Sequence, residues 1–200
     1  MGRGPRYRVV FRRRREKRTD FRMRKAMILS KAPRLVVRSS LKHVQLQVEE
    51  ALPVGDKTVA TANSRELVSY GWKAPTGNIP AAYLTGYLLG KRAAAIGMES
   101  MILDIGLTGA TKGSRMFAAL RGASDAGLEI AHDDEILPSA ERVGGEHIAE
   151  YAKKLLETDP EAFGKRFSQY LSSDLRPEDL PKHIVQIKEK IDETYKEGKK

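Results

Sequence analysis

From Asn78 to Gly97 the chain places a small residue at every fourth position, Ala82, Gly86, Gly90 and Ala94. That spacing is close to one helical repeat, so a helix here carries one face that is nearly bare backbone. Each glycine inside a helix costs about 1 kcal/mol relative to alanine. Such a face is offset only by close packing, and a sheet is the partner expected for it. Asn78 suits the cap, Pro80 the first turn, and Gly97 the stop after about Ile96. Met101–Ile105 then reads as a continuous apolar strand of the buried parallel kind. A second helix from Gly113 to Ala126, with Met116, Phe117, Leu120 and Ala123 inward, leads to a last strand at Leu128–Ala131.

Upstream the rhythm is that of antiparallel strands. Arg34–Ser39 is one, and His43–Glu49 is the cleanest, with Val44, Leu46 and Val48 alternating against polar neighbours. A turn at Gly55-Asp56 separates it from a weaker strand at Lys57–Asn63. The order βββαβαβ defines the expected fold class, an α/β domain layered on a mixed sheet. Before it, Thr19 or Asp20 caps a short helix that ends at Ser30 or Lys31, ahead of Pro33. After it, helices are expected at about Gly145–Glu157, Asp159–Ser172 and Pro181–Tyr195.

Charge is distributed in a gradient. Residues 1–25 hold twelve Lys and Arg against Glu16 and Asp20, a net +10 that equals the net charge of the whole chain. Residues 26–126 are +5 and residues 127–200 are −5. An excess concentrated in one arm is suited to a polyanion. With no cysteine, disulfides and thiolate chemistry are excluded. No stretch approaches the roughly 20 apolar residues of a membrane helix. The basic start is not followed by an apolar segment, so no signal peptide is expected and the setting is intracellular.

The arm combines forked guanidinium groups with aromatic rings. Arg3, Arg6, Arg8, Arg12, Arg13, Arg14, Arg15, Lys17, Arg18, Arg22, Arg24 and Lys25 are candidate phosphate contacts, and Tyr7 and Phe11 candidate stacking surfaces. Residues 1–19 have too little apolar surface to order alone, and order is expected against RNA. A localisation tract is the plain alternative. A transit peptide would be Ser-rich, and the arm has no serine.

Gly106–Arg115 lies between a strand and a helix, but Lys112 precedes Gly113, so the Gly-Lys-Ser order of a nucleoside-triphosphate loop is absent. Lys112 and Arg115 stand where a helix dipole disfavours cations. A bound phosphate would resolve that; so would a plain solvated turn. Trp72, beside Lys73, suits a base contact or, equally, a half-buried cover for the sheet edge. A metal-dependent nuclease on a similar sheet would need several carboxylates, and in the sheet region Asp104 alone sits in an apolar strand. His43, His132, His147 and His183 are scattered and lack metal-ligand spacing.

Three stretches together resemble the ribosomal protein L-eighteen family in its archaeal and eukaryotic branch. They are Arg34-Leu-Val-Val-Arg38 with Lys42-His43; Tyr70-Gly71-Trp72-Lys73 leading to Thr76-Gly77-Asn78-Ile79-Pro80 and on to Gly86; and Leu103-Asp104-Ile105-Gly106-Leu107 ahead of Arg115, Phe117 and Leu120. Ala149-Glu150-Tyr151, Phe167-Ser168-Gln169-Tyr170 and Pro177-Glu178-Asp179 resemble the tail of that branch. The resemblance implies a three-layer α/β fold and a structural, non-catalytic protein of the cytoplasmic ribosome that needs no cofactor or metal. Such a protein binds 5S rRNA and helps attach it to large-subunit rRNA in the central protuberance, beside another 5S-binding protein and other large-subunit proteins. It further implies RNA contacts at the arm, Arg38, Lys42, His43, Trp72, Lys73, Asn78, Lys112 and Arg115. The chain then divides into a basic arm with short helix (1–33), an α/β 5S rRNA-binding domain (34–131) and an acidic helical extension (132–200). The extension is expected to face solvent or basic protein. An RNA-escort role before assembly would use the same surface.

Overall fold

The computed structural model describes residues 4–197. It opens with a single helical turn, α1 (Arg12–Arg15), and a short helix, α2 (Phe21–Leu29). The Asp20 carboxylate caps α2 by accepting from the backbone N–H groups of Arg22 and Met23, at 2.9 and 3.2 Å. Three strands follow: β1 (Arg34–Ser39), β2 (Val44–Ala51) and β3 (Asp56–Asn63). A 3-10 segment (Ser64–Tyr70) leads to α3 (Ile79–Ala95), then β4 (Ser100–Asp104), α4 (Arg115–Asp125) and β5 (Glu129–Ile130).

The strands form one mixed sheet in the order β3-β2-β1-β4-β5. β1 pairs antiparallel with β2 and parallel with β4. In this register Val37 faces Leu46 and Leu35 faces Val48 on the buried side. Arg34, Val36 and Arg38 face Glu49, Gln47 and Gln45, and by the two-residue period they project to the other side. One sheet face is therefore apolar and the other polar, as the alternation in β2 requires.

The helix α3 is buried over most of its length, from Pro80 to Gly90 and at Ala93. A helix buried on all sides needs a cover on each. The sheet supplies one and the C-terminal helices the other. Those helices are α5 (Ala140–Val143), α6 (Glu146–Thr158), α7 (Pro160–Arg166), α8 (Ser168–Ser172) and α9 (Leu180–Glu197). From α9, Leu180, Ile184, Ile187 and Ile191 enter the same core as Leu35 and Leu46. Removing one of these isoleucine side chains would cost about 2–5 kcal/mol. The architecture is a sheet, the α3–α4 pair, and an outer layer of C-terminal helices. The change at about residue 131 is thus a change of element type within one core.

Three expectations are corrected. The small-residue stripe packs on a helix, not on the sheet. A Cβ at Gly86 would stand 1.9 Å from the Ala119 carbonyl oxygen, and one at Gly122 of α4 would stand 2.0 Å from that of Tyr83. Glycines on both helices let the backbones touch, and Ala94, at the stripe's end, is exposed. The single helix expected over Asp159–Ser172 is broken at Phe167. The bend seats the Phe167 ring among Tyr151, Phe163 and Tyr170, with centroids 5.2–6.2 Å away. The strand β4 is also less enclosed than its sequence suggests, since Ile102 and Leu103 are only half-buried.

Candidate nucleic-acid interface

Topology gathers several expected contacts at one end of the sheet. The strand β4 is parallel to β1, and α4 follows β4 and returns to the parallel strand β5. The helix α4 must therefore start at the carboxyl end of β4, and α3, which leads into β4, must start there too. The carboxyl ends of β1 and β4 and the loops beyond them meet the first turns of both helices. In open α/β sheets this is the end that binds ligands.

Here the β1–β2 loop (residues 40–43) and the loop before α3 (residues 71–78) are fastened together. The Thr76 hydroxyl donates to the Lys42 carbonyl at 2.9 Å and lies 2.9 Å from His43 Nδ1. Arg115 Nη1 donates to the carbonyls of Ser40 and Gly77, at 2.8 and 3.0 Å. Gly77 is required by the closeness, because a Cβ there would meet the Leu41 carbonyl at 2.8 Å. Between the loops and α8 lies a cleft of about 770 Å³. Lys42, His43, Lys73, Thr76 and Asn78 line it together with Gln169, Ser172 and Ser173. Among the described residues lining it, none is acidic. Lys42 and Lys73 are exposed, and among the described residues neither makes an ion pair.

The extension supports these loops. Lys73 N–H donates to His183 Nε2 at 3.2 Å, and the Trp72 ring stacks on His183 at 5.2 Å between centroids. Burial, helped by the nearby Lys190 and Lys73 and opposed by a hydrogen bond with Gln186, holds the His183 imidazole below its usual range, which favours the neutral ring that an accepting Nε2 requires. Asn78 Oδ1 accepts from Ala81 N–H at 2.8 Å, while its Nδ2 donates to the Tyr170 hydroxyl at 3.4 Å. Burial in turn raises the Tyr170 phenol above its usual range.

A second cleft, of about 800 Å³, lies over the polar sheet face between α2 and the loop after β4. Its floor is an ion cluster centred on Arg34, which is 2% exposed. Arg34 Nη1 donates to Asp104 Oδ2 at 2.7 Å, and Nη2 donates to Asp56 at 2.8 Å and Glu49 at 3.2 Å. Asp56 also accepts from Arg24 at 2.7 Å, and Arg38 Nη2 lies 3.6 Å from Asp104. The Arg24 hydrogen bond leads in holding Asp56 below the usual carboxylate range, whereas burial lifts Glu49 above it against the pull of Arg34. Asp104 Oδ1 accepts from Gly106 N–H at 2.8 Å. Asp104 is thus the anchor of a buried arginine, and among the described residues no three His, Cys, Asp or Glu side chains are grouped as a metal would require.

The expected contacts sort accordingly. Lys42, His43, Lys73 and Asn78 meet at the loop cleft. Arg38 reaches the edge of the sheet-face cleft, its side chain 48% exposed, with Nη1 on the carbonyls of Val37 and Asp104. Trp72 lines the loop cleft but is only 3% exposed: Nε1 donates to the Pro75 carbonyl at 3.4 Å and His183 covers a face, which is closer to the buried-cover reading than to a base contact. Arg115 is likewise occupied with pinning the two loops, which explains a cation at that helix start without a phosphate. Lys112 pairs with Glu135 at 2.7 Å on the surface. In the arm, residues 4–18 are all exposed, and Phe11 is 84% so. Arg12 and Arg18 pair with Glu16, and Arg13 donates to Thr19. Arg6, Arg8, Arg14, Arg15, Lys17, Arg22 and Lys25 are exposed, Tyr7 is 45% exposed, and Arg24 ties α2 to β3 through Asp56. Arg3 lies outside the described residues. The sequence reading missed Arg34. An arginine opening an apolar strand, with acids on the neighbouring strands, was the available signal.

A family model described as "Ribosomal large subunit proteins 60S L5, and 50S L18" matches residues 5–100 and 95–133. The large ribosomal subunit protein uL18 of Caldivirga maquilingensis is 53% identical over 191 residues, covering 95% of this chain and 92% of that protein. The protein of the same name from Aeropyrum pernix is 50% identical over 197 residues, covering 98% of this chain and 92% of that one.

Proposed function

The chain belongs to the uL18 family of large-ribosomal-subunit proteins, and from that premise we propose that it binds 5S rRNA and helps fasten it to large-subunit rRNA in the central protuberance. Membership makes it a structural constituent of the ribosome and not an enzyme, with rRNA and other ribosomal proteins as its partners. The finer reading assigns two surfaces. The loop cleft holds 5S rRNA through Lys42, His43, Lys73 and Asn78. The arm, with its net +10 in residues 1–25, grips phosphates of the larger RNA.

The observation that supports this reading most is the convergence of lysines some thirty residues apart on one cleft whose described lining carries no carboxylate. Rigid loops can register a folded RNA, while an exposed Arg-rich arm adapts to whatever phosphates lie near it. The test is a gel shift of the full chain against 5S rRNA and an unrelated transcript of equal length, across a salt series. Preference for 5S rRNA that persists at near-cellular salt supports the reading. Equal binding to both transcripts overturns it.

A further inference from the structure

The geometry points to α8, a segment of the acidic extension, as a third wall of the RNA surface: Gln169, Ser172 and Ser173 contact bases or riboses of unpaired rRNA held in the loop cleft. This rests on the 5S reading above and adds to it a set of contacts in the part of the chain whose net charge argues against RNA.

Three observations carry it. The first is composition on a local scale. Residues 127–200 are −5 and densely charged, yet Phe167–Ser173 contains no charged residue. The second is placement. The break at Phe167 redirects the chain so that α8 stands across the cleft from Lys42 and Lys73. Tyr170 is buried beneath it and receives the Asn78 amide, so this wall is joined to the cap of α3. The third is chemistry. Gln169 and Ser172 are exposed and Ser173 half-exposed, and they offer an amide and two hydroxyls opposite two ammonium groups. Both serine hydroxyls donate to the Gln169 carbonyl at 3.0 Å, which leaves their oxygens able to accept. Lysines supply phosphate contacts without sequence information, whereas an amide and hydroxyls can read base edges and the ribose 2′-hydroxyl. Leu41, 95% exposed at the rim, adds an apolar surface for a base.

The partner is committed as RNA because the cleft combines cations with neutral donors and acceptors and, in its described lining, no acid. A basic protein arm would find nothing there to pair with. The occupant class is an unpaired segment, since the Watson–Crick edges an amide and hydroxyls would read and the base face Leu41 would meet are free only outside a duplex.

The test is the full chain carrying Gln169→Ala, Ser172→Ala and Ser173→Ala together, titrated with 5S rRNA at several salt concentrations. The expected result is affinity reduced five- to tenfold with an unchanged slope of log affinity against log salt, because no cation is removed. The thermal melt should be unchanged. Lys42→Ala with Lys73→Ala should instead lower affinity and slope together. A triple variant that matches the wild type, while the wild type still selects 5S rRNA, overturns the wall and leaves the 5S reading standing. Loss of selectivity by the wild type removes the 5S reading, and weaker binding of the variant to both transcripts would then still support α8 as an RNA contact. Should the triple variant unfold, Gln169→Ala alone decides the matter, with a two- to threefold loss expected and no loss contradicting the proposal.

Discussion

The sheet-face cleft and the loop cleft are nearly equal in size and both hold cations, yet their electrostatics differ in kind. Over the sheet, Arg24, Arg34 and Arg38 are set against Asp56, Glu49 and Asp104 at distances of 2.7–3.6 Å. At the loops, Lys42 and Lys73 face amides, hydroxyls and an imidazole. An arginine already paired with a carboxylate must lose that partner before it can neutralise a phosphate. A lysine with only water around it gives up counterions alone. Under the proposed reading, what sets a folded polyanion site apart on the body of the protein is cations without acidic neighbours, more than the number of basic residues.

The largest effect expected is on stability, and it breaks the first region. Arg34→Met leaves Asp104 buried without its cation and should cost about 3–5 kcal/mol. A urea melt reads this directly, and a loss below about 1 kcal/mol would contradict a structural role for the cluster. Next comes the second region. Lys42→Ala with Lys73→Ala should leave the melt in place and lower the salt slope for 5S rRNA by roughly 0.7–0.9 for each phosphate left without its lysine. Deleting residues 1–19 should weaken docking into large-subunit rRNA while the circular-dichroism melt of the body stays intact, because residues 4–18 are all exposed.

A smaller effect is expected with pH. Asp56 has its folded pKa lowered, so its contribution is complete above its unfolded pKa of about 3.9 and is lost as pH falls through the folded value. Glu49 has its folded pKa raised, so ionisation costs stability as pH rises from the unfolded value of about 4.3 toward the folded one. Melts of Asp56→Asn from pH 6 to pH 3 should therefore show a flatter acid limb than the wild type. An identical limb would remove Asp56 from the account. The smallest change is expected from Arg38→Ala, less than about 1 kcal/mol, since its side chain is half exposed and its carboxylate partner lies at 3.6 Å.

The fold was legible wherever periodicity and caps agreed. Alternation in β2, Asn78 with Pro80, and Gly97 each act on neighbours within a few residues, so sequence alone exposes them. What remained hidden depends on partners distant in the chain. The face of α3 carrying Gly86 announces close packing without naming what packs, and Gly122 is its counterpart only in space. Arg34 reads as an ordinary strand residue until Asp104 and Asp56 are seen around it. Of the candidate site, only the placement of its residues can be compared with the sequence. Lys42, Lys73 and Asn78 sit where an interface can use them, whereas Trp72 and Arg115 are absorbed in holding the loops together, a task no local signal distinguishes from touching RNA. The wall formed by α8 depends on a helix break at Phe167 that aromatic packing, and not propensity, decides.

Photo-crosslinking of the 5S rRNA complex, with the linked peptides mapped by mass spectrometry, separates the two clefts most directly. The account predicts links at the 40–43 and 72–78 loops and at 169–173, and few within 34–38 or 103–108. Links concentrated on the sheet face, with the loops unmarked, would contradict it.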